Sequence, residues 1–68
     1  MPKYIICREN QFGVKYLTKI INKIPYFSSD RSMAEACENR ELAEFIAEQA
    51  SNYSGNNWKV MEVENAPD

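Results

Sequence analysis

The chain has 68 residues, of which 44% are apolar and 26% charged, with a formal net charge of −2 and no histidine. This is the composition of one small globular domain, and it excludes disordered and fibrous classes. No apolar run approaches the roughly 18 residues of a membrane span, and the amino terminus has no signal-peptide pattern, so we expect a soluble cytoplasmic protein without a membrane partner.

Two strands and a hairpin are predicted at the start of the chain. Residues 3–8 (KYIICR) form a β-type segment, and residues 14–21 (VKYLTKII) are the returning strand. Polar residues and a glycine between them supply the hairpin loop. If that loop pairs Arg8 with Val14, one face of the sheet carries Ile5, Cys7, Lys15 and Leu17, and the other carries Tyr4, Ile6, Tyr16 and Thr18.

A short third strand is predicted over residues 26–28. Pro25 removes one ladder donor and biases the residue before it toward an extended conformation. Proline is tolerated in a sheet mainly at its edges. We therefore expect residues 26–28 to form an edge strand.

The stretch over residues 30–52 is predicted to break rather than to form one helix. At about 100° per residue, Met33, Ala36 and Cys37 cluster about 145° away from the stripe of Leu42, Ile46, Ala50 and Tyr53. One straight helix cannot bury both stripes against one sheet. The prediction is a short turn at residues 31–35 with a capping box at Ser32–Glu35, an extended step at Cys37–Glu38, and a main helix from Arg40 to about Ser51 capped by Asn39.

The last predicted element is a strand over residues 58–63 (WKVMEV), with Trp58 and Val60 facing the core. The fold class is therefore α+β: a small antiparallel sheet of three or four strands with one main helix packed on one face, in the order β-β-(β)-α-β. Leu42, Phe45 or Ile46, and Ala50 are expected to hold that helix to the sheet. Residues 1–68 form a single domain with a loose tail at 65–68.

The chain carries no pattern typical of catalysis. It has no Gly-rich phosphate loop and neither a GxSxG nor an HExxH motif. Its glutamates recur at helical spacings of three and four, which is typical of a solvated helix face. Cys7 and Cys37 form no CxxC pair and are expected to be small buried apolar residues. We expect a non-enzymatic protein without a cofactor or a metal site.

Charge is divided along the chain. Residues 1–29 hold five basic residues and one acidic residue, whereas residues 30–68 hold three basic and nine acidic residues. Lys15, Lys19 and Lys23 share one parity, so a basic sheet face that binds single-stranded nucleic acid is one alternative. The sequence pI near 5.1 and the lack of an arginine cluster disfavour nucleic acid as the partner.

Protein binding is the interpretation that the predicted strands favour. Both faces of the sheet carry large apolar residues, but the sequence offers one substantial helix to cover them. Exposed apolar patches usually mark an interface, either with another protein or between two copies of the chain, so a structural homodimer stays a second alternative. The predicted partner-binding residues are Ile5, Lys15, Leu17 and Lys19 on the sheet, and Glu44 and Glu48 on the helix.

Three groups of residues form a pattern across most of the chain: the run Tyr26-Phe27-Ser28-Ser29-Asp30, then Ala34, Cys37, Asn39, Ala43 and Ile46, and finally Trp58, Val60, Glu62 and Val63. This pattern resembles small accessory proteins of tailed bacteriophages and prophages. The resemblance implies two strands before the Phe-Ser step, then a capped helix and a last strand. It also implies a protein that modulates or inhibits a host protein or defence complex in the bacterial cytoplasm, as anti-CRISPR proteins do.

Overall fold

The fold is a four-stranded antiparallel sheet with one main helix, in the order β-β-β-α-β, as the sequence predicts. It is seen in a computed structural model that describes residues 3–63. The elements are β1 (Lys3–Asn10), β2 (Gly13–Ile21), β3 (Ile24–Ser28), a 3₁₀ turn (Arg31–Met33), α1 (Arg40–Ser54) and β4 (Lys59–Val63). The strand order is β3-β2-β1-β4, so β3 is an edge strand as predicted. The tail predicted at 65–68 lies outside the described residues.

The β1–β2 register differs by one residue from the predicted pairing. Gly13 takes a φ of +125° and ends a two-residue turn, and Val14 consequently pairs with Glu9 rather than with Arg8. A slip of one residue exchanges the two faces of one strand relative to the other. The predicted faces were therefore wrong, and the helix side of the sheet carries Ile6, Arg8, Lys15 and Leu17.

The β2–β3 hairpin also changes the predicted faces. Its register shifts between Leu17 and Lys19, and Leu17 and Ile20 both pack on the core although they are three residues apart. The hairpin then closes through Asn22 and Lys23, which both have a positive φ, as a type I′ turn requires. The prediction that Lys15, Lys19 and Lys23 line one face was wrong, because a bulge and a turn separate them.

The predicted break before the main helix is confirmed. Cys37 exchanges two backbone hydrogen bonds with Tyr4, at 2.8 and 2.7 Å, and the Glu35 N–H donates to the Leu17 carbonyl at 3.1 Å. Residues 35–37 are therefore bonded to both β1 and β2. The turn before this segment is shorter than predicted, and its cap is Asp30, whose carboxylate accepts from the Ser32 N–H at 3.0 Å, rather than a Ser32–Glu35 capping box.

Helix α1 begins where the sequence predicts. The Asn39 side chain accepts hydrogen bonds from the N–H groups of Glu41 and Leu42, at 2.8 and 3.2 Å. The helix continues to Ser54, three residues beyond the predicted end, and Gly55 follows it with a φ of +73°. Ser54 suits this last turn because its hydroxyl donates to the Ala50 carbonyl and accepts from the Trp58 indole N–H.

The core lies between α1 and the sheet. Ala43, Ala47 and Ala50 are the buried residues of α1, and the sheet side contributes Ile6, Leu17 and Trp58, with Val60 packed against them. The core positions predicted for Trp58 and Val60 are confirmed. Of the residues predicted to hold the helix, Ala50 is buried and Ile46, rather than its alternative Phe45, packs against the core. The prediction for Leu42 was wrong, because alanines fill the contact and leave Leu42 exposed. Within residues 3–63 no helix has the length and apolar character needed to cross a membrane.

Candidate protein-binding surface

Helix α1 has two flanks of different character on either side of its alanines. The apolar flank comprises Leu42, Ile46 and Tyr53, at spacings of four and seven, together with Phe45, which adjoins Leu42 on the side turned away from the sheet. The acidic flank comprises Glu44 and Glu48. Ile46 borders a cavity together with Ile20 of β2, whereas Glu44 and Glu48 border Lys59 and Val60 beside β4. The apolar flank therefore lies toward β2 and the acidic flank toward β4.

Large apolar side chains are exposed along the apolar flank. Leu42 is 51% exposed and Phe45 57% exposed, and Tyr53 is exposed as well, while Ile46 between them is half-buried. Three alanines bring the helix backbone close to the sheet, and no element described in residues 3–63 covers the larger residues beside them. Contiguous exposed apolar surface of this kind marks a contact site for another molecule more often than chance.

The apolar flank continues into a cavity between α1 and β2. This α1–β2 cavity has a volume of about 330 Å³. Its lining residues are Ile6, Leu17, Thr18, Lys19, Ile20, Glu35 and Ile46. The bulge in β2 at Leu17–Lys19, together with the segment at 35–37 that bonds to both central strands, places the cavity next to the middle of the helix. Leu42 precedes Ile46 by one helical turn, so the cavity mouth and the apolar flank form one surface.

Edge strand β3 adds further apolar groups near α1. The helix packs beside β3, and Ile24 and Phe27 of that strand are about half exposed. Ile24 pairs with Ile21, which is also exposed. Because Ile20, which pairs with Pro25, faces the core, the Ile21–Ile24 pair lies on the opposite face of the sheet. Strand β3 therefore contributes Pro25 and Phe27 to the helix side.

Some charged side chains of the protein contact a partner group, and others do not. The Lys19 ammonium lies 5.7 Å from the centroid of the Tyr26 ring, a cation–π contact. Lys3 binds Glu38 at 2.8 Å, and this hydrogen bond lowers the pKa of the Glu38 carboxyl. Arg40 contacts Glu44 at 3.4 Å on the acidic flank. Glu35, at the cavity, makes no salt bridge within the part of the chain that the structure describes.

A second cluster forms around the Arg8 side chain. The Arg8 guanidinium lies 5.3 Å from the Phe27 ring and 5.4 Å from the Trp58 ring, and the two rings are 6.1 Å apart. The Arg8 Nε is buried without a hydrogen-bond partner among the described residues. The cluster joins β1 to the edge strand β3 and to the start of β4, so its role is structural.

The predicted partner-binding residues do not come together in the structure. Ile5 is 0% exposed and Leu17 2% exposed, so neither offers its side chain to a partner. Leu17 packs under α1, and an aspartate there would disrupt the core rather than probe an interface. The Lys15 ammonium donates to the Ser29 hydroxyl at 2.6 Å. Of the predicted residues, Leu17 and Lys19 line the cavity. Glu44 and Glu48 lie on the opposite flank of the helix.

The residues that form the apolar surface were missed at the sequence level. Leu42 and Phe45 were assigned to the core because the wheel was centred on the large residues instead of on Ala43, Ala47 and Ala50. The alanine spacing of four and three was the signal that could have located the buried face. Phe12, at the tip of the β1–β2 turn, is 84% exposed and was also missed, but it lies at the far end of β2 from Ile20.

The two cysteine thiols have raised pKa values. Burial raises the pKa of the Cys7 and Cys37 thiols, and the nearby carboxylates Glu9 and Glu35 add to the shift. Both thiols are therefore protonated near neutral pH. Within residues 3–63 no group of three His, Cys, Asp or Glu side chains is placed to hold a metal ion.

Comparison with known proteins found no similar protein: no protein-family model matches the chain, and no curated protein or solved structure matches it either. The surface described above is therefore interpreted from its own geometry.

Proposed function

We propose that this protein is a small non-enzymatic binding module, and that it contacts a partner protein through the apolar flank of α1. The observation that carries the proposal is the exposure of Leu42 and Phe45 on a helix whose alanines face inward and whose Ile46 borders an apolar cavity. Interfaces are typically anchored by a few large apolar or aromatic side chains near a pocket. The surface has that composition.

A different protein fits the surface better than a second copy of the chain does. Helix α1 carries the carboxylates of Glu41, Glu44 and Glu48 against the single guanidinium of Arg40. A two-fold contact between two such helices would bring like charges together, which opposes association. A partner with a basic surface avoids this repulsion and gains from charge complementarity.

The class of partner follows from the resemblance to bacteriophage accessory proteins. We propose that the partner is a host protein or a defence complex in the bacterial cytoplasm, and that the chain modulates or inhibits it by occupying part of its surface. The burial of Ile5 and Leu17 changes the residues that we expect to carry this contact. They are Leu42 and Phe45 rather than the sheet residues.

The proposal is tested by capture from a bacterial lysate with matched variants. Phe45→Glu places a charge at the outer edge of the apolar flank, and we expect it to weaken partner retention by roughly 30-fold or more, the effect of a hot spot of about 2 kcal/mol. Phe12→Glu is the matched control, because Phe12 is a phenylalanine that is more exposed than Phe45 and lies away from this surface. The control should retain the partner as the unmodified chain does.

Light scattering on the purified protein provides the second readout. We expect a monomer for the unmodified chain and for both variants. A dimer that Phe45→Glu dissociates would show that a second copy occupies the surface and would contradict the proposal. Equal partner loss in both phenylalanine variants would contradict it as well, because the apolar flank would then have no special role.

A further inference from the structure

We infer that the α1–β2 cavity is the anchor pocket of this surface: it receives one large apolar side chain of a partner segment that carries a positive charge beside that side chain. The inference rests on the function proposed above and adds to it the chemistry of the partner. It assigns a binding role to residues outside the apolar flank, above all Glu35.

The cavity has the size and lining of an anchor pocket. Its volume of about 330 Å³ falls at the lower end of the roughly 300–1,000 Å³ typical of ligand pockets. The buried side chains of Ile6 and Leu17 and the half-buried Ile20 and Ile46 make it predominantly apolar. An aromatic or branched aliphatic side chain that enters this space is removed from water, and such burial contributes about 1.5–3 kcal/mol.

The charges at the cavity favour a cation on the partner. Among the described residues, Glu35 is the one carboxylate of the lining and Lys19 the one cation. The Lys19 ammonium already contacts the Tyr26 ring, whereas Glu35 makes no salt bridge within residues 3–63. Glu44 and Glu48 lie on the opposite flank of α1, so the preference for a cation rests on Glu35.

The position of the cavity indicates a protein segment rather than a free small molecule. Leu42 and Phe45 continue the apolar surface from the cavity mouth along α1, so a segment that lies against the helix can insert one side chain at Ile46. A free ligand of the size of the cavity would leave this flank uncovered. An amphipathic segment with a basic polar face would cover both the cavity and the apolar flank.

The test uses three indole probes that differ in charge. Tryptamine is a cation, N-acetyltryptophanamide is neutral and indole-3-acetate is an anion. Protein labelled at the isoleucine methyl groups is titrated with each probe and followed by NMR. We expect the methyl signals of Ile20 and Ile46 to shift, and tryptamine to bind about two- to fivefold more tightly than indole-3-acetate, as an exposed charge pair allows.

Two variants isolate the role of the carboxylate. Glu35→Gln keeps the shape of the side chain and should reduce the ratio of the tryptamine and indole-3-acetate affinities to about one. Glu48→Gln removes the same charge from the acidic flank, and it should leave the ratio unchanged. The methyl signal of Ile5, which is buried on the sheet face opposite Ile6, should not shift with any probe.

The outcomes separate this inference from the proposed function. If no probe shifts Ile20 and Ile46 while Phe45→Glu still abolishes partner retention, the anchor pocket is wrong and the binding surface stands. If indole-3-acetate binds as well as tryptamine, the predicted cation is wrong. Submicromolar binding of tryptamine would indicate a site for a free small molecule and would contradict the assignment to a partner side chain.

Discussion

The side of α1 that faces the sheet and its apolar flank differ in the size of their side chains. Ala43, Ala47 and Ala50 lie against the sheet, while Leu42 and Phe45 are exposed. In an ordinary amphipathic helix the largest apolar residues face the core. Here the bulk of the core comes from the sheet side, in Ile6, Leu17 and Trp58, and the helix supplies a close, flat contact. Stability and surface apolarity therefore depend on different residues of the same element.

The largest expected loss of stability is at Trp58, which packs against the buried face of α1. Trp58→Ala removes the largest core side chain and its hydrogen bond to the Ser54 hydroxyl, and we expect the free energy of unfolding to fall by about 3–5 kcal/mol. Phe45→Ala, on the apolar flank, should change it by no more than about 0.5 kcal/mol. Urea denaturation followed by circular dichroism measures both. Similar losses for the two variants would show that the flank belongs to the core.

The next effect tests whether the alanine contact is as close as described. Ala50→Leu adds volume where the helix approaches the sheet, and overpacking of this kind destabilises by about 1–3 kcal/mol. Gln49→Leu is the neighbouring control, because Gln49 is only half-buried. A gain in stability from Ala50→Leu would mean that space remains between helix and sheet, and that the small residues are not what brings the two together.

A smaller effect is expected where the helix begins. Asn39→Ala removes the side chain that accepts hydrogen bonds from Glu41 and Leu42, and the loss should be about 1 kcal/mol. Asn39→Ser, which can also cap, should restore most of it. The thermal unfolding midpoint measures this, and it should be highest for the unmodified chain, slightly lower for Asn39→Ser and lowest for Asn39→Ala. If alanine and serine behave alike, the cap does not set the start of α1.

The smallest effect concerns the ion pair that precedes the helix. The hydrogen bond from Lys3 lowers the pKa of Glu38, so the pair stabilises the folded state above the unfolded-state pKa of this carboxyl, and the contribution is lost as pH falls through the lowered pKa. Lys3→Met should raise the Glu38 pKa toward its ordinary value. Carbon-13 NMR titration of the carboxyl group measures this directly. An unchanged pKa in the variant would show that the pair does not form in solution.

The elements were predictable from the sequence because each is marked locally. Asn39 has the chemistry of an N-cap, Pro25 marks an edge strand, and the phase change after Cys37 marks a break in the helix. The faces of the strands were less predictable, because Gly13 and the bulge after Leu17 each shift the register by one residue, and a single shift exchanges the faces. Those shifts depend on backbone geometry that residue types only weakly encode.

The candidate surface was predictable only in its general kind. An apolar patch left uncovered by the single helix follows from the number of elements, but its location does not. The wheel for α1 could be centred on the alanines or on Leu42 and Ile46, and the packing of Trp58 against Ala47 and Ala50 decides between them. The alanine spacing indicates one of the two faces, but the choice between them also depends on packing against Ile6 and Leu17, which are distant in the chain.

The central claim, that the apolar flank of α1 is the surface that contacts a partner, is tested most directly by site-specific photo-crosslinking in bacterial cells. A benzophenone amino acid is placed in turn at Phe45 and, as the matched control, at Glu48 on the acidic flank of the same helix. We predict a discrete adduct with another protein from position 45, its loss when Leu42→Ser is added, and no such adduct from position 48. Equal adducts from both positions, or an adduct of two copies of this chain from position 45, would contradict the account.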